Sequence, residues 1–437
     1  MSETKKDKQL FTVARVFFLL IVIPLSLMAI LIANGIYKLG DTARERAVAG
    51  MDQKSQEEIK IRAINTADEV ASFLNERKKD LLIATIIPAT ESAFKQFVNE
   101  NKRPLWVKDG ANIHQVPTLL YTEMSLTDSK GNEVIKITNG DIAPKSKLTN
   151  VSVPANTTYK SEDYFNKAKS LNKGEIYVSN VTGWYVNKAE FDKGKRFSGV
   201  VRFAAPVFGK EGFAGVLCLT VDVRHLEGFT DHIVPTQAAP VFEADASTGN
   251  YAFMVDGRGM IISHPADYHI AGLNPDGTPV APLSEQTKDA MMKKGEEVLN
   301  LNLLGYMDPT MPVVAKDAAA GKEGMKTYKF AGHTKFVAYA PIKFYASNLP
   351  KPAGFGWIGM GIDVDKANEL AAATSKKIQE ESKSWITTIT LIIIISVVLL
   401  FFIMALLARG ITRSIEAEIP LEAQEAIKSY DDDDEDK

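Results

Sequence analysis

Residues 199–223 read GVVRFAAPVFGKEGFAGVLCLTVDV. Apolar residues dominate Gly199–Phe208, a Gly209-Lys-Glu-Gly212 cluster interrupts them, and Phe213–Val223 resumes the run. This is the grammar of two strands joined by a tight turn. Outward from this hairpin, Glu175–Val181 reads as a strand and Asp163–Ser170 as a short helix. Leu119–Thr127 and Glu133–Thr138 flank the turn cluster Asp128-Ser-Lys-Gly-Asn132, and residues 139–160 read as loop. Two strands, a loop with a helix, then three strands describe a curved antiparallel sheet with helices on one side, an α+β unit.

The pattern returns in shorter form downstream. Tyr251–Val255, the turn Asp256-Gly-Arg-Gly259 and Met260–His264 form a hairpin that stops at Pro265. A helix is expected over Glu285–Val298, then strands over Lys326–Phe330, Lys335–Ile342 and Trp357–Val364. The chain therefore carries two similar units in tandem, about 104–236 and 237–370. Upstream, Tyr37 to about Ile87 has a helical period, with Ile61, Ile64, Val70, Phe73, Leu74, Leu81 and Leu82 at three- and four-residue spacing. Pro88 stops that helix, and Thr90 is placed to cap a short second one through Phe97, completing a helical segment over 37–103. Its apolar stripe either packs on its own domain or forms the seam of a homodimer.

Two stretches are too apolar for a soluble core. Val16–Ala33 and Ile386–Ala408 contain no charged residue, and a bilayer core of ~30 Å needs about 20 such residues at 1.5 Å each. We expect transmembrane helices over 16–36 and 386–408. The first lacks a small-residue cleavage triplet and reads as an uncleaved anchor rather than a signal peptide. Lys5, Lys6, Lys8 and Arg15 precede the first span, and Arg409 and Arg413 follow the second. The positive-inside rule puts both termini (1–15 and 409–437) in the cytoplasm and the main domain outside it, in a two-pass protein of the inner membrane. A helical connector (371–385) joins the second unit to the second span. With 51 basic and 54 acidic residues among 437, the net charge is 51 − 54 = −3, which offers no basic field for nucleic acid. Cys218 is the only cysteine, so intrachain disulfides and multi-cysteine zinc sites are excluded. Asn150, Asn156 and Asn180 begin glycosylation sequons, which carry meaning only in a eukaryotic host.

Three segments carry a family resemblance. Asp163-Tyr-Phe-Asn-Lys-Ala followed by Gly174-Glu-Ile-Tyr-Val-Ser-Asn180, the hairpin Ala205–Asp222, and Val255-Asp-Gly-Arg-Gly-Met-Ile-Ile-Ser-His-Pro265 resemble, in order, segments of the double Cache sensor domain. The resemblance covers about residues 37–370. It implies one long N-terminal helix and two tandem PAS-like lobes, distal and proximal to the membrane, with a small ligand in the distal lobe. It also implies a signal carried by helices across the bilayer, as in bacterial and archaeal chemoreceptors and sensor kinases. Ala408-Arg-Gly-Ile-Thr-Arg-Ser-Ile415 resembles the opening of a HAMP helix. The short acidic stretch after it holds no kinase, cyclase or receptor hairpin. Either the sequence is a piece of a longer chain or the output lies on a separate cytoplasmic or membrane partner, for which Asp431–Asp436 would be a docking handle.

The resemblance also points to site residues. Amino-acid-binding members carry an Arg-x-Trp-Tyr segment, whose Arg clamps the ligand carboxylate, and an Asp that takes the ammonium. By position the Arg corresponds to Glu162, the Trp to Tyr164, the Tyr to Phe165, and the Asp is kept as Asp222. Two carboxylates at one cleft favour a cationic amine or an amino acid. Tyr164, Phe165, Tyr177 and Trp184 would add aromatic walls, with cation–π attraction of ~0.5–2 kcal/mol. An anionic ligand would need Arg202 or Lys160. The plainer reading makes Glu162 a helix cap facing solvent and Asp222 a strand end. The insert Val186–Arg196 forms either a lid or a surface loop. His264 reads as a structural hydrogen bonder, and His225 and His232 lack metal-ligand spacing. No hydrolase or metallopeptidase motif occurs, so neither a catalytic residue, a metal nor a cofactor is expected. The leading expectation is a membrane-anchored extracytoplasmic sensor of a small ligand. The rival is an assembly scaffold that uses the lobes as a protein-binding head.

Overall fold

The structure, a computed structural model, describes residues 16, 19–39, 53–330 and 332–418. The expected cytoplasmic N-terminus, the first part of the long helix (40–52) and the acidic tail (419–437) lie outside the described residues. The chain divides into two units, the apolar terminal segments and residues 51–367. In the first unit, α1 (Leu19–Leu39) and the stretch Lys383–Leu407 are helices long and apolar enough to cross a membrane. Leucine, isoleucine and phenylalanine side chains are exposed all along both, which suits hydrocarbon rather than water as the solvent.

The second unit opens with α2 (Gln53–Ala84). Ile59, Ala63, Ala67, Val70, Leu74 and Leu81 are buried along one face, three to seven residues apart. That face packs against strands of both sheets. The apolar stripe is therefore spent inside the protomer, while Ile61 is 49% exposed. The helix ends ahead of Pro88, and α3 (Glu91–Glu100) starts at the cap Thr90, whose hydroxyl accepts from the Ala93 N–H at 3.3 Å.

A hairpin of β1 (Lys102–Asp109) and β2 (Asn112–Leu119) follows, paired only with itself. The first large sheet comprises β3 (Tyr121–Thr127), β4 (Glu133–Thr138), β5 (Asp141–Ile142), β6 (Tyr177–Val178), β7 (Thr182–Gly183), β8 (Gly199–Gly209) and β9 (Gly212–Asp222). Its order is β5-β4-β3-β9-β8-β6, with β7 also on β8. Short helices α4 (Tyr164–Lys169), α5 (Lys188–Asp192) and α6 (Arg224–Glu227) lie in its connections. The second sheet comprises β10 (Tyr251–Asp256), β11 (Ile261–Ser263), β12 (Gly324–Phe330), β13 (His333–Ile342) and β14 (Gly356–Asp363), ordered β11-β10-β14-β13-β12. Both sheets are antiparallel, so the expected α+β class with two tandem lobes is borne out. The helix expected over Glu285–Val298 shrinks to α7 (Lys288–Lys293), because Gly295 turns the chain at φ +70°. A further helix, α8 (Thr310–Ala319), was not expected; Pro312 sits in its first turn, where its missing N–H costs nothing. Helix α9 (Val364–Glu418) leaves β14 without an intervening loop and contains the second apolar stretch.

The packing of α2 makes a contrast between two positions. Leu74→Ala should lower stability by about 2–5 kcal/mol, the cost of a buried leucine truncation. Ile61→Ala should cost less than about 0.5 kcal/mol. Urea unfolding of the purified protein followed by tryptophan fluorescence checks both. An equal loss at Ile61 would place that residue in a buried interface.

Candidate functional site

Strand alternation divides β8, β9 and β3 into two faces. Val201, Phe203, Leu219, Val221 and Met124 enter the main core. Arg202, Thr220 and Glu123 point the other way and are neighbours in register across the three strands. All three are buried. An arginine cannot be left unpaired there, and its N–H groups are largely satisfied. Nη1 donates to Glu123 Oε1 at 2.7 Å and to Thr220 Oγ1 at 2.8 Å. Nε and Nη2 donate to the two carboxylate oxygens of Glu162, the latter at 3.1 Å. The guanidinium also lies over the Tyr164 ring, 4.8 Å from its centroid. Lys136 on β4 extends the row, 3.3 Å from Glu123 and 2.8 Å from Glu133. Burial pushes the Glu123 carboxyl up, but Arg202 and Lys136 overcome this and hold it below the usual carboxylate range. Burial, helped by Glu123 and Glu162 and opposed by Arg202, drives the Cys218 thiol, on the same face of β9, up to about 12.

The loop before α4 is built to aim Glu162 inward. The Tyr159 N–H donates to Glu162 Oε2 at 3.2 Å, and the Glu162 N–H donates to Thr157 Oγ1 at 3.3 Å. Glu162 is thus no helix cap. The cap position belongs to Asp163, and Glu162 is the counterion of Arg202. Phe165 turns away with Ala168 into a small second core against Ala204, Val216 and Cys218. Asp222 does not join Glu162. It closes β9, and its carboxylate accepts from the Arg224 backbone N–H at 3.0 Å and from Arg224 Nε at 3.0 and 3.1 Å. The paired-carboxylate clamp expected from the sequence is not assembled, because each acid has its own arginine.

Glu162, Tyr164, Tyr177 and Arg202 do share a cleft, of about 300 Å³, between the two lobes. Its far wall comes from the second lobe, with Arg258 and Met260 at the β10–β11 turn and Ala271, Gly272, Leu273, Pro279 and Val280 beyond them. Arg258 was not singled out from the sequence. Its Nε and Nη2 hold Asp256 at 2.8 and 2.7 Å, and the side chain remains 55% exposed. Trp184 stands at the lobe seam rather than among the cleft-lining residues, 5.2 Å from Tyr159 and bridged to Leu273. Lys160 bonds the Pro275 carbonyl at 2.8 Å. Gly277 must be glycine there, since a Cβ would come within 2.9 Å of Tyr159 O and Lys160 Cβ. The insert 186–196 is neither lid nor free loop. It forms α5, and Phe191 meets Tyr268 of the second lobe at 5.3 Å. His264 is buried and accepts the Ala266 N–H at 2.9 Å; burial holds it far below its ordinary pKa and therefore neutral.

The family model of the Cache domain matches residues 46–386. The chain belongs to the Cache family. Solved structures similar to this Cache protein include ligand-binding domains of chemoreceptors. One is that of Pseudomonas fluorescens CtaA in complex with L-isoleucine, at 16% identity over 75% of this chain and 98% of that one, TM-score 0.41. Another is that of Pseudomonas aeruginosa PAO1 PctC in complex with GABA, at 13% identity over 68% of this chain and 95% of that one, TM-score 0.36. No curated protein matches the chain. The Cache region is an extracytoplasmic sensor domain rather than an enzyme domain.

Removing Arg202 would strand two buried carboxylates. Arg202→Met should cost about 3–5 kcal/mol at pH 7, the usual cost of breaking a buried ion pair from one side. The loss should shrink as the pH falls, because Glu123, which Arg202 helps to hold ionised, takes up a proton more readily in the variant. Thermal unfolding from pH 4 to 8 checks both the size and the sign.

Proposed function

We propose that the protein is a membrane-anchored extracytoplasmic sensor that binds a small carboxylate-bearing molecule, amino acids included, in the cleft between its two lobes. The observation that carries this reading is Arg258. It is the cleft's exposed guanidinium, oriented by Asp256 and retaining N–H groups on its outer side. Arg202 sets a positive floor whose charge Glu162 already balances, so a cation gains little here and the amine preference drawn from Glu162 and Asp222 is set aside. Tyr164 and Tyr177 supply the aromatic wall, and Asp163 at the rim is within the same cleft for a ligand ammonium. Ligand drawn onto both walls would move the second lobe, and with it β14 and the start of α9, by about 1–2 Å. Both termini lie on the cytoplasmic side in this reading, and the signal passes to a cytoplasmic or membrane output partner. Two copies pair through the long N-terminal helix in this reading.

One observation favours the scaffold as a second reading. The polar face of the first sheet is filled by the protein's own ion pairs, which a protein-binding head tolerates and a sensor must work around. The two separate in a thermal-shift panel of L-amino acids, organic acids and amines on the full chain in detergent. At 100 times the dissociation constant a ligand adds about 2.7 kcal/mol. A carboxylate should raise the melting temperature by several degrees, and Arg258→Gln should abolish that shift. A flat response to the whole panel, with a fixed partner co-purifying at constant stoichiometry, would favour the scaffold.

A further inference from the structure

A second cavity, of about 290 Å³, lies under the β1–β2 hairpin, away from the cleft of Arg258. Four carboxyl groups line it, and three of them, Glu227, Asp231 and Asp267, lack an ion-pair partner among the described residues. The turns after α6 place Glu227 and Asp231 four residues apart, with the Asp231 N–H on the Glu227 carbonyl at 2.9 Å. Asp267 joins them from the second lobe, where it accepts the Phe197 N–H. Glu227 is buried, and its Oε1 has no hydrogen-bond partner. Asp231 is met only by hydroxyls, those of Ser263 at 3.3 Å and Thr230 at 3.4 Å. The two arginines on the cavity wall are already engaged, Arg224 by Asp222 and Arg196 by Glu243 at 3.1 Å. Among the described residues no cation lies within ion-pair distance of Glu227, Asp231 or Asp267. An unpaired buried carboxylate is costly, so such a cluster either holds protons or takes a positive partner from outside.

The shape selects the kind of cation. A single metal ion needs its ligand atoms gathered closely. The acid and histidine trio so gathered among the described residues is His333, Asp363 and Asp365, not this one. Here the acids are spread and the walls are aromatic. Trp106 meets His232 at 6.1 Å and His232 meets Phe242 at 6.5 Å. Aromatic faces beside carboxylates are how proteins hold organic ammonium groups. We propose that this cavity is a binding site for an organic ammonium ion, a small amine or diamine, held by Glu227 and Asp231 with Trp106 and Phe242 as walls. It is independent of the carboxylate cleft and links the first lobe to the second through Asp267.

The protonation of the site supports this. Burial, reinforced by neighbouring carboxylates, pushes Asp231 up to about 7 and Glu227 well above its ordinary value; burial also raises Asp267 to about 6. The other groups facing the cavity are Arg196, Arg224, Glu243, His232 and His264, and burial keeps both histidines neutral. A carboxyl raised in the folded state contributes stability at low pH and loses it as the pH rises through the folded value. The ligand-free protein should lose stability between about pH 5 and 8, and an ammonium ligand should restore it.

The test uses the full chain in phosphatidylcholine nanodiscs, with 1,4-diaminobutane, MgCl₂ and NaCl as probes. We expect saturable binding of the diamine by calorimetry, at least tenfold tighter at pH 8 than at pH 5. Glu227→Gln and Asp231→Asn should each weaken it at least tenfold while raising the ligand-free melting temperature at pH 8, which shows that the variants fold. Arg258→Gln should leave diamine binding unchanged, so failure of the carboxylate cleft would not be mistaken for failure here. Absence of diamine binding, binding untouched by Glu227→Gln, or displacement of the diamine by Mg²⁺ at equal concentration would overturn the proposal.

Discussion

A buried guanidinium organises the first lobe. Arg202 sits in the middle of a sheet with almost no access to water, so everything that approaches that face must carry an acceptor or negative charge. Glu123 meets it from the next-but-one strand, Thr220 from the strand between, and Glu162 from the loop above. Within the loop, the Tyr159 N–H donates to the Glu162 carboxylate and the Thr157 hydroxyl accepts the Glu162 N–H, which together hold Glu162 at that point. Tyr164 closes over the plane of the cation, and α4 follows from there. The place where the sequence pointed to a ligand's charge clamp is thus occupied by an internal one, and the accessible chemistry moves outward to the seam between lobes.

That seam is where the two lobes become one apparatus. The long helix α2 lays a single apolar stripe over both sheets, so their cores merge. The polar contacts on the opposite side differ in character. At the cleft, Arg258 of the second lobe faces the satisfied Arg202–Glu162 pair of the first. At the second cavity, Asp267 of the second lobe faces Asp231 and Glu227 of the first, the latter with an unpartnered Oε1. One site offers a guanidinium to solvent and the other buries a cluster of carboxyl groups that burial holds toward the protonated form. In the proposed reading, a ligand at either site changes how strongly the lobes are held together, and α9 carries that change onward.

The architecture was legible because it is written in local pattern. Alternation marked β8 and β9, Asp128-Ser-Lys-Gly-Asn132 and Asp256-Gly-Arg-Gly marked turns, and two uninterrupted apolar runs marked the terminal helices. The β1–β2 hairpin escaped because its residues are exposed on both faces, leaving no alternation to read, although Asp109-Gly110 is a hairpin signal, with Gly110 at φ +60°. Helix α8 hid behind Pro309 and Pro312. The site was half legible. Glu162, Tyr164, Tyr177 and Arg202 do meet in one cleft, but sequence cannot show that two residues 40 apart are each other's counterion. Nor does it show that Asp222 folds back on a residue two positions away. Arg258 was in view as a turn residue, and only the packing of one lobe on the other makes it a cleft wall.

The central claim is that ligand binds between the lobes and changes their separation. Cys218 is buried and its thiol is held protonated, so labels can be placed at introduced cysteines without background. Spin labels at Lys173→Cys in the first lobe and Lys294→Cys in the second, in the full chain in nanodiscs, report that separation by pulsed electron resonance. With a carboxylate that raises the melting temperature, the account predicts a narrower distance distribution shifted by about 1–2 Å, and no shift in the Arg258→Gln background. An unchanged distribution at saturating carboxylate would contradict it.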